Sequence, residues 1–233
     1  MADVALITGA SRGIGRYLVG RLLDDGYIVV GCSRKPPEDP PESDRYHHHL
    51  VDVTDEMAVR KLFSTIRRGH GGLDVLINNA GIAAMNHAML TPLAQARRVV
   101  DVNLIATFLF AREAAKLMKK RRRGRIVNFA TVATPLKLEG EAIYAASKGG
   151  VVTLTHVLAR EFAPFGITVN AVGPTPVDTD LIRSVPADKI DALLERQAIR
   201  RMGTLADVGN VVDFYLRAES DFVTGQVLYL GGV

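Results

Sequence analysis

At 233 residues, with 48% hydrophobic and 23% charged side chains, the chain is long enough to bury one full core and offers no linker to a second. Its one cysteine, Cys32, excludes an internal disulfide framework and fits a reducing compartment, so the expected location is cytoplasmic. The net charge of +4 is local: taking the six cations of KKRRRGR (119–125) away leaves −2, which excludes a general polyanion-binding surface.

In chain order, MADVALITGA lacks a basic leader and a long apolar run, so it reads as the start of a strand, VALIT, and not as a signal peptide. The glycine-rich TGASRGIG follows, then a helix from about Gly13 to Asp25 and a second strand, YIVVGC. RKPPEDPPESDR, from Arg34 to Arg45, carries four prolines and predicts a loop where a helix would otherwise cross. HHLVD is the third strand, and EMAVRKLFSTIRR the next helix. DVLIN, a helical stretch from Pro92 to Arg121, RIVNFA, a helix carrying Tyr144 and Lys148, ITVNAV and GQVLYL complete the order. Strand runs rich in Val, Ile and Leu without polar alternation belong to strands covered on both faces. The expectation is an α/β chain with one Rossmann-type doubly wound domain over 1–233. It has a seven-stranded, mostly parallel sheet with helices on both faces, and a short substrate-binding helical segment at about 180–203. No run is long and charge-free enough for a membrane span.

Three features invite other chemistry and do not support it. Consecutive residues in a strand alternate faces, so His47, His48 and His49 cannot converge on one ion, and no metal site is expected. Cys32 has no motif around it and reads as a packing residue. KKRRRGR has no interleaved aromatics. It reads as a cationic helix end facing the last carbonyls, stopped by Gly124, and not as a nucleic-acid site.

A glycine turn between the first strand and first helix lets backbone approach a diphosphate at the positive end of the helix, which selects Gly9, Gly13 and Gly15. At the end of the second strand, where an NAD-binding chain keeps a carboxylate, Ser33 and Arg34 stand instead, and Arg12 lies in the turn itself. Two guanidinium groups and a hydroxyl match a 2′-phosphate, so NADP(H) is the expected cofactor. In EAIYAASKGG, Tyr144 and Lys148 are four residues apart and share a helix face. A phenol beside a cation is a usable proton donor, although a Y-x-x-x-K spacing alone also suits a core aromatic and a solvated lysine.

Taken together, TGASRGIG, DVTD (52–55), NNAG (78–81), DVNL (101–104), YAASK (144–148) and VNAVGPTPVDTDL from Val169 resemble the short-chain dehydrogenase/reductase family over essentially the whole chain. The resemblance implies that Tyr144 donates a proton to a substrate carbonyl. Lys148 would lower the tyrosine's pKa and hold the nicotinamide ribose, and Asn103 would hold a relay water through its backbone carbonyl. Thr131 stands where the family usually has a serine that orients the carbonyl. The cofactor positions it implies are Gly9, Ser11, Arg12, Gly13, Ile14 and Gly15 at the turn, and Ser33, Arg34, Asp52 and Val53 at the adenosine. Asn79, Ala80, Gly81, Pro174, Val177 and Thr179 follow along the ribose and nicotinamide, joined by Tyr144 and Lys148. Thr175 replaces the family's usual glycine after Pro174, which adds a side chain beside the nicotinamide and fixes the substrate loop.

Within the family the sequence is most similar to bacterial 3-oxoacyl-acyl-carrier-protein reductases, through GRIVN, LAREFAPFGITVNAV and GQVLYLGG. That similarity implies a homotetramer packed through helices 101–119 and 144–163, and docking of an acidic carrier protein by arginines near the site entrance. Arg122 matches one of these arginines; the other position holds Phe165. Leu181, Ile182 and Val185 are candidate substrate walls, with Met85 and Leu136 to Leu138 opposite. Three readings follow: reduction of a 3-oxoacyl thioester, reduction of a free sugar-derived or secondary-metabolite ketone, and a non-catalytic NADP-binding regulator.

Overall fold

Val4–Thr8, the first strand (β1), is buried at every position, as a strand covered on both faces has to be. The computed structural model describes residues 2–179, 182 and 185–233. The further strands are β2 (Ile28–Ser33), β3 (Tyr46–Leu50), β4 (Val75–Asn78), β5 (Gly124–Phe129), β6 (Ile167–Gly173) and β7 (Val227–Tyr229). They form one seven-stranded sheet in the order β3-β2-β1-β4-β5-β6-β7. Every pairing is parallel, from β2–β3 at one side to β6–β7 at the other. The order reverses between β1 and β4, which opens a crevice at the carboxyl ends of the strands, where ligands bind in such sheets.

The helices are α1 (Gly13–Asp24), α2 (Glu56–His70), α3 (Leu93–Val100), α4 (Ala106–Arg121), α5 (Ala133–Leu136), α6 (Ala142–Phe162), α7 (Ala187–Glu195) and α8 (Leu205–Leu216). They lie on both faces and produce two apolar cores. One joins α2, α4 and α6 to the sheet through residues such as Phe63, Phe110, Leu76 and Leu158. The other joins α1 and α8 to it through Leu18, Leu22, Ile77, Val212 and Tyr215. Asp55 starts α2 by accepting from the Met57 and Ala58 amides at 2.9 and 3.0 Å, leaving the apolar stripe of Val59, Leu62, Phe63 and Ile66 facing the core.

Several local expectations are corrected. The third strand starts at Tyr46 and pairs only with β2, so the histidines lie on an edge. There His48 joins a chain of side chains and no metal-binding cluster appears among the described residues. The helix before β5 does not stop at Gly124, which is the first residue of that strand. The turn is made by Arg122, in the left-handed region at φ 51°. Its carbonyl lies so close to Gly166 that a Cβ there would sit 2.1 Å away, so a glycine is required opposite. The helical stretch from Pro92 to Arg121 is interrupted by a π-helical turn, Asp101–Ile105, between α3 and α4. Among the described residues no helix is long and apolar enough to cross a membrane.

Candidate active site

The glycine turn between β1 and α1 is shaped by close approach. Gly9 and Gly13 have φ of 69° and 56°, and a Cβ on Gly15 would lie 2.2 Å from the Gly9 carbonyl oxygen. Asn79 Nδ2 donates to the Thr8 and Gly9 carbonyls at 3.0 and 3.2 Å, and the Ala80 amide donates to Thr8 Oγ1 at 2.9 Å. The Asn79 amide nitrogen is therefore engaged in bracing the turn, not free to reach a ribose. Arg12 is the residue before α1 and gives no side-chain cap, and the first turn, which contains Ile14 and Gly15, has no acidic residue. Uncapped amides, a positive helix end and three glycines make a cradle suited to a diphosphate.

At the far end of the crevice Arg34 is exposed, and its charge, with that of Arg98, helps hold Asp52 below the usual carboxylate range; the largest cause is the Thr54 amide, which donates to Asp52 Oδ1 at 3.0 Å. Val53 is buried beneath. Ser33 Oγ donates to the Lys35 carbonyl at 2.6 Å and lies 2.9 Å from His48 Nε2, whose other ring nitrogen is 2.7 Å from the Tyr46 hydroxyl. The serine proton is thus committed to the loop, and the free positive charge at this end comes from the arginines. Burial lowers the His48 pKa, favouring the neutral ring in this chain of bonds.

Thr131 follows β5, and Tyr144 and Lys148 lie one turn apart near the start of α6. Burial pushes the Tyr144 phenol up to about 12, a rise that the nearby Thr131 hydroxyl partly offsets. Lys148 is buried, donates from Nζ to the Phe129 carbonyl at 2.7 Å, and has its pKa brought down to about 8 by burial. Desolvation of the phenol, not the lysine's field, therefore sets the tyrosine's titration in the protein alone, contrary to the expected lysine effect. Asn103 is fully buried within the π-helical turn. Its side chain accepts from the Ile82 amide at 2.9 Å and donates to the Ile82 carbonyl and to Ser147 Oγ at 3.0 and 3.1 Å. Its backbone carbonyl accepts from the Thr107 hydroxyl at 2.8 Å. A Cβ on Gly81 would stand 3.3 Å from Asn103 Oδ1 and 3.5 Å from Lys148 Nζ, so the backbone comes close to both.

These parts surround one cavity of about 160 Å³, lined by Tyr144, Lys148, Thr131 and Asn79 and reaching Ile14, Gly81, Pro174, Val177 and Thr179. Leu138, Ile182, Val185 and Leu193 form its apolar wall. Met85 and Leu136, expected opposite, are not among its lining residues, and Leu181 lies outside the described residues. Thr175 does fix the loop: it is buried, and its hydroxyl donates to Gln197 Oε1 at 2.5 Å. Sequence reasoning missed Leu193 and, more notably, Glu141, which lines the cavity three residues before Tyr144 and so on its helix face. Arg122 precedes β5, at the edge of the sheet opposite the cavity, and its guanidinium donates to the Pro164 carbonyl at 3.0 Å. Within one chain it does not flank the entrance.

A family model described as short chain dehydrogenase matches residues 3–190. The chain belongs to the short-chain dehydrogenase family. The 3-oxoacyl-[acyl-carrier-protein] reductase FabG of Escherichia coli is 33% identical over 233 residues, covering 98% of this chain and 96% of that protein. Among solved structures, ElxO with NADP bound matches with a TM-score of 0.91 at 29% identity, over 99% of this chain and 97% of that one. The ligand-free aldohexose dehydrogenase AldT of Thermoplasma acidophilum matches with a TM-score of 0.88 at 31% identity, over 99% and 93%. As a short-chain dehydrogenase the chain is an oxidoreductase, and its seven-stranded parallel sheet is the one these relatives share.

Proposed function

We propose that this short-chain dehydrogenase uses NADP(H) to reduce a ketone to a secondary alcohol. One observation carries the reading: a phenol, a threonine hydroxyl and a buried ammonium line the same cavity, next to a glycine cradle suited to a diphosphate. Arg12 and Arg34 supply the charge for a 2′-phosphate, and the NADP-bound relative ElxO supports the same choice. When bound, the cofactor supplies the hydride that adds to the carbonyl carbon. Thr131 and Tyr144 hold the carbonyl oxygen by hydrogen bonds, and the phenolic proton passes to that oxygen as the bond to carbon forms. Lys148, charged below about pH 8, then stabilises the phenolate. Asn103 keeps the turn beneath them rigid, and its backbone carbonyl would hold a relay water.

Similarity to the FabG reductases supports a 3-oxoacyl thioester as the ketone, with an acidic carrier protein docking near Arg122. The missing second arginine, Phe165, and the position of Arg122 weigh toward a free ketone. The intact Tyr144, Lys148 and Asn103 set weighs against a non-catalytic regulator. A cytoplasmic homotetramer fits the exposed apolar residues on the two candidate interface segments, Ile105 and Phe108 on the first and Val157 on the second. The test is a screen of NADPH oxidation over free ketones and over acyl thioesters with and without carrier protein, repeated with Tyr144→Phe. That substitution deletes only the phenolic hydroxyl, so turnover should fall by roughly a hundredfold or more with NADPH affinity kept within a few-fold. Undiminished ketone reduction by Tyr144→Phe would end the assignment.

A further inference from the structure

Glu141 is the one carboxylate among the described residues that line the cavity, and nothing in cofactor binding or proton transfer uses it. It stands just before α6, at φ −114° and ψ 22°, where an acidic side chain ordinarily accepts from the amides of the first turn. It makes no such bond. Its Oε2 is instead buried, with no hydrogen-bond partner among the described residues. It lines the same cavity as Tyr144, whose pKa its charge helps to raise, and burial raises its own. A buried carboxyl oxygen without a partner is costly, and a fold retains one where a ligand completes the bond.

Leu138, Ile182, Val185 and Leu193 are apolar, and the one cation among the described lining residues, Lys148, is tied to Phe129. The group that meets Glu141 is therefore one that can donate. A hydroxyl satisfies the carboxyl in either protonation state, as donor to the carboxylate or acceptor from the acid. A 3-oxoacyl thioester offers only an acceptor oxygen beside its ketone, which suits the acid form alone and is repelled by the carboxylate. Resting on the carbonyl-reductase reading above, we propose that Glu141 is a specificity-determining residue that binds a hydroxyl close to the substrate carbonyl, so that the substrate is a hydroxylated ketone of the sugar or polyol type.

The experiment compares kcat/KM, with NADPH, for erythrulose, for butanone, which is the same carbon skeleton without hydroxyls, and for the acetoacetyl thioester of N-acetylcysteamine. The wild type should favour erythrulose over butanone by at least about tenfold. Glu141→Ala should bring that ratio to within about twofold by losing erythrulose activity alone, and should not lower Tm, since a desolvated carboxyl has been removed. Glu141→Gln, whose amide still accepts from a hydroxyl, should keep most of the preference. Equal losses on erythrulose and butanone, a lowered Tm in both variants, or a wild-type preference for the thioester would overturn the proposal. Absence of reduction in every arm while NADPH still binds would instead overturn the carbonyl-reductase reading itself.

Discussion

Replacing Lys148 by methionine should stabilise the protein at neutral pH and destroy its activity. The ammonium is 5% exposed and its pKa falls from 10.5 to about 8 on burial. At about 1.36 kcal/mol per pH unit, keeping it charged costs the folded state on the order of 3 kcal/mol at pH 7. Methionine removes that cost but orphans the Phe129 carbonyl, which takes back about 1–2 kcal/mol, for a net gain of about 1–2 kcal/mol. The sign with pH is fixed. Between pH 8 and 10.5 the unfolded chain binds the lysine proton and the folded one does not, so the wild type gains stability as pH rises through this window. The advantage of Lys148→Met should accordingly be largest below about pH 8, cross zero at about pH 9 and become a deficit of about 1–2 kcal/mol by about pH 10.5. Urea unfolding of both proteins at matched pH values measures the gap, and taking the difference cancels every other titrating group. A gap that stays constant or widens with rising pH would refute the buried charge. The same titration should make the wild-type kcat/KM fall above about pH 8, because the free enzyme needs the ammonium.

Two further predictions concern the cofactor cradle. Arg34→Glu should move the ratio of kcat/KM for NADPH over NADH toward NADH by at least about tenfold, about 1.4 kcal/mol, and an unchanged ratio would remove Arg34 from 2′-phosphate recognition. Gly15→Ala should destabilise the protein by about 2 kcal/mol or more and weaken NADPH binding, because its Cβ would sit 2.2 Å from the Gly9 carbonyl. Gly69→Ala in α2, which meets nothing within 4 Å, should be neutral or stabilising by up to about 1 kcal/mol in the same thermal-melt series.

What could be read from the sequence follows physical signal strength. Runs such as VALIT and ITVNAV announce strands covered on both faces, and their buried positions agree. Tyr144, Lys148 and Thr131 were selected by motif and the fold gathers them, since four-residue spacing fixes a helix face and the end of β5 fixes the rest. Glu141 escaped because a carboxylate before a helix is taken for a cap, and only coordinates reveal that it turns inward. The commitment of Ser33 to Lys35 and His48 depends on the register of β3 against β2, which edge-strand composition does not encode. The place of Arg122 within one chain was legible in principle, because a residue that precedes a strand of a parallel sheet lies at the end opposite the crevice. The π-helical turn has no local signature, because DVNL suits an ordinary helix equally well.

That turn has a mechanical meaning. One residue beyond the regular count rotates everything after it by about 100° relative to an uninterrupted helix. Winding Asp101 to Ile105 as regular α-helix with every residue kept would swing the packed flank of Phe110, Ala111 and Ala114 toward water. Asn103 would be withdrawn from Ile82 in the same movement. The asparagine's post under the catalytic groups and the seating of α4 on the sheet are thus one geometric decision, and no point change on α4 can tune one while sparing the other.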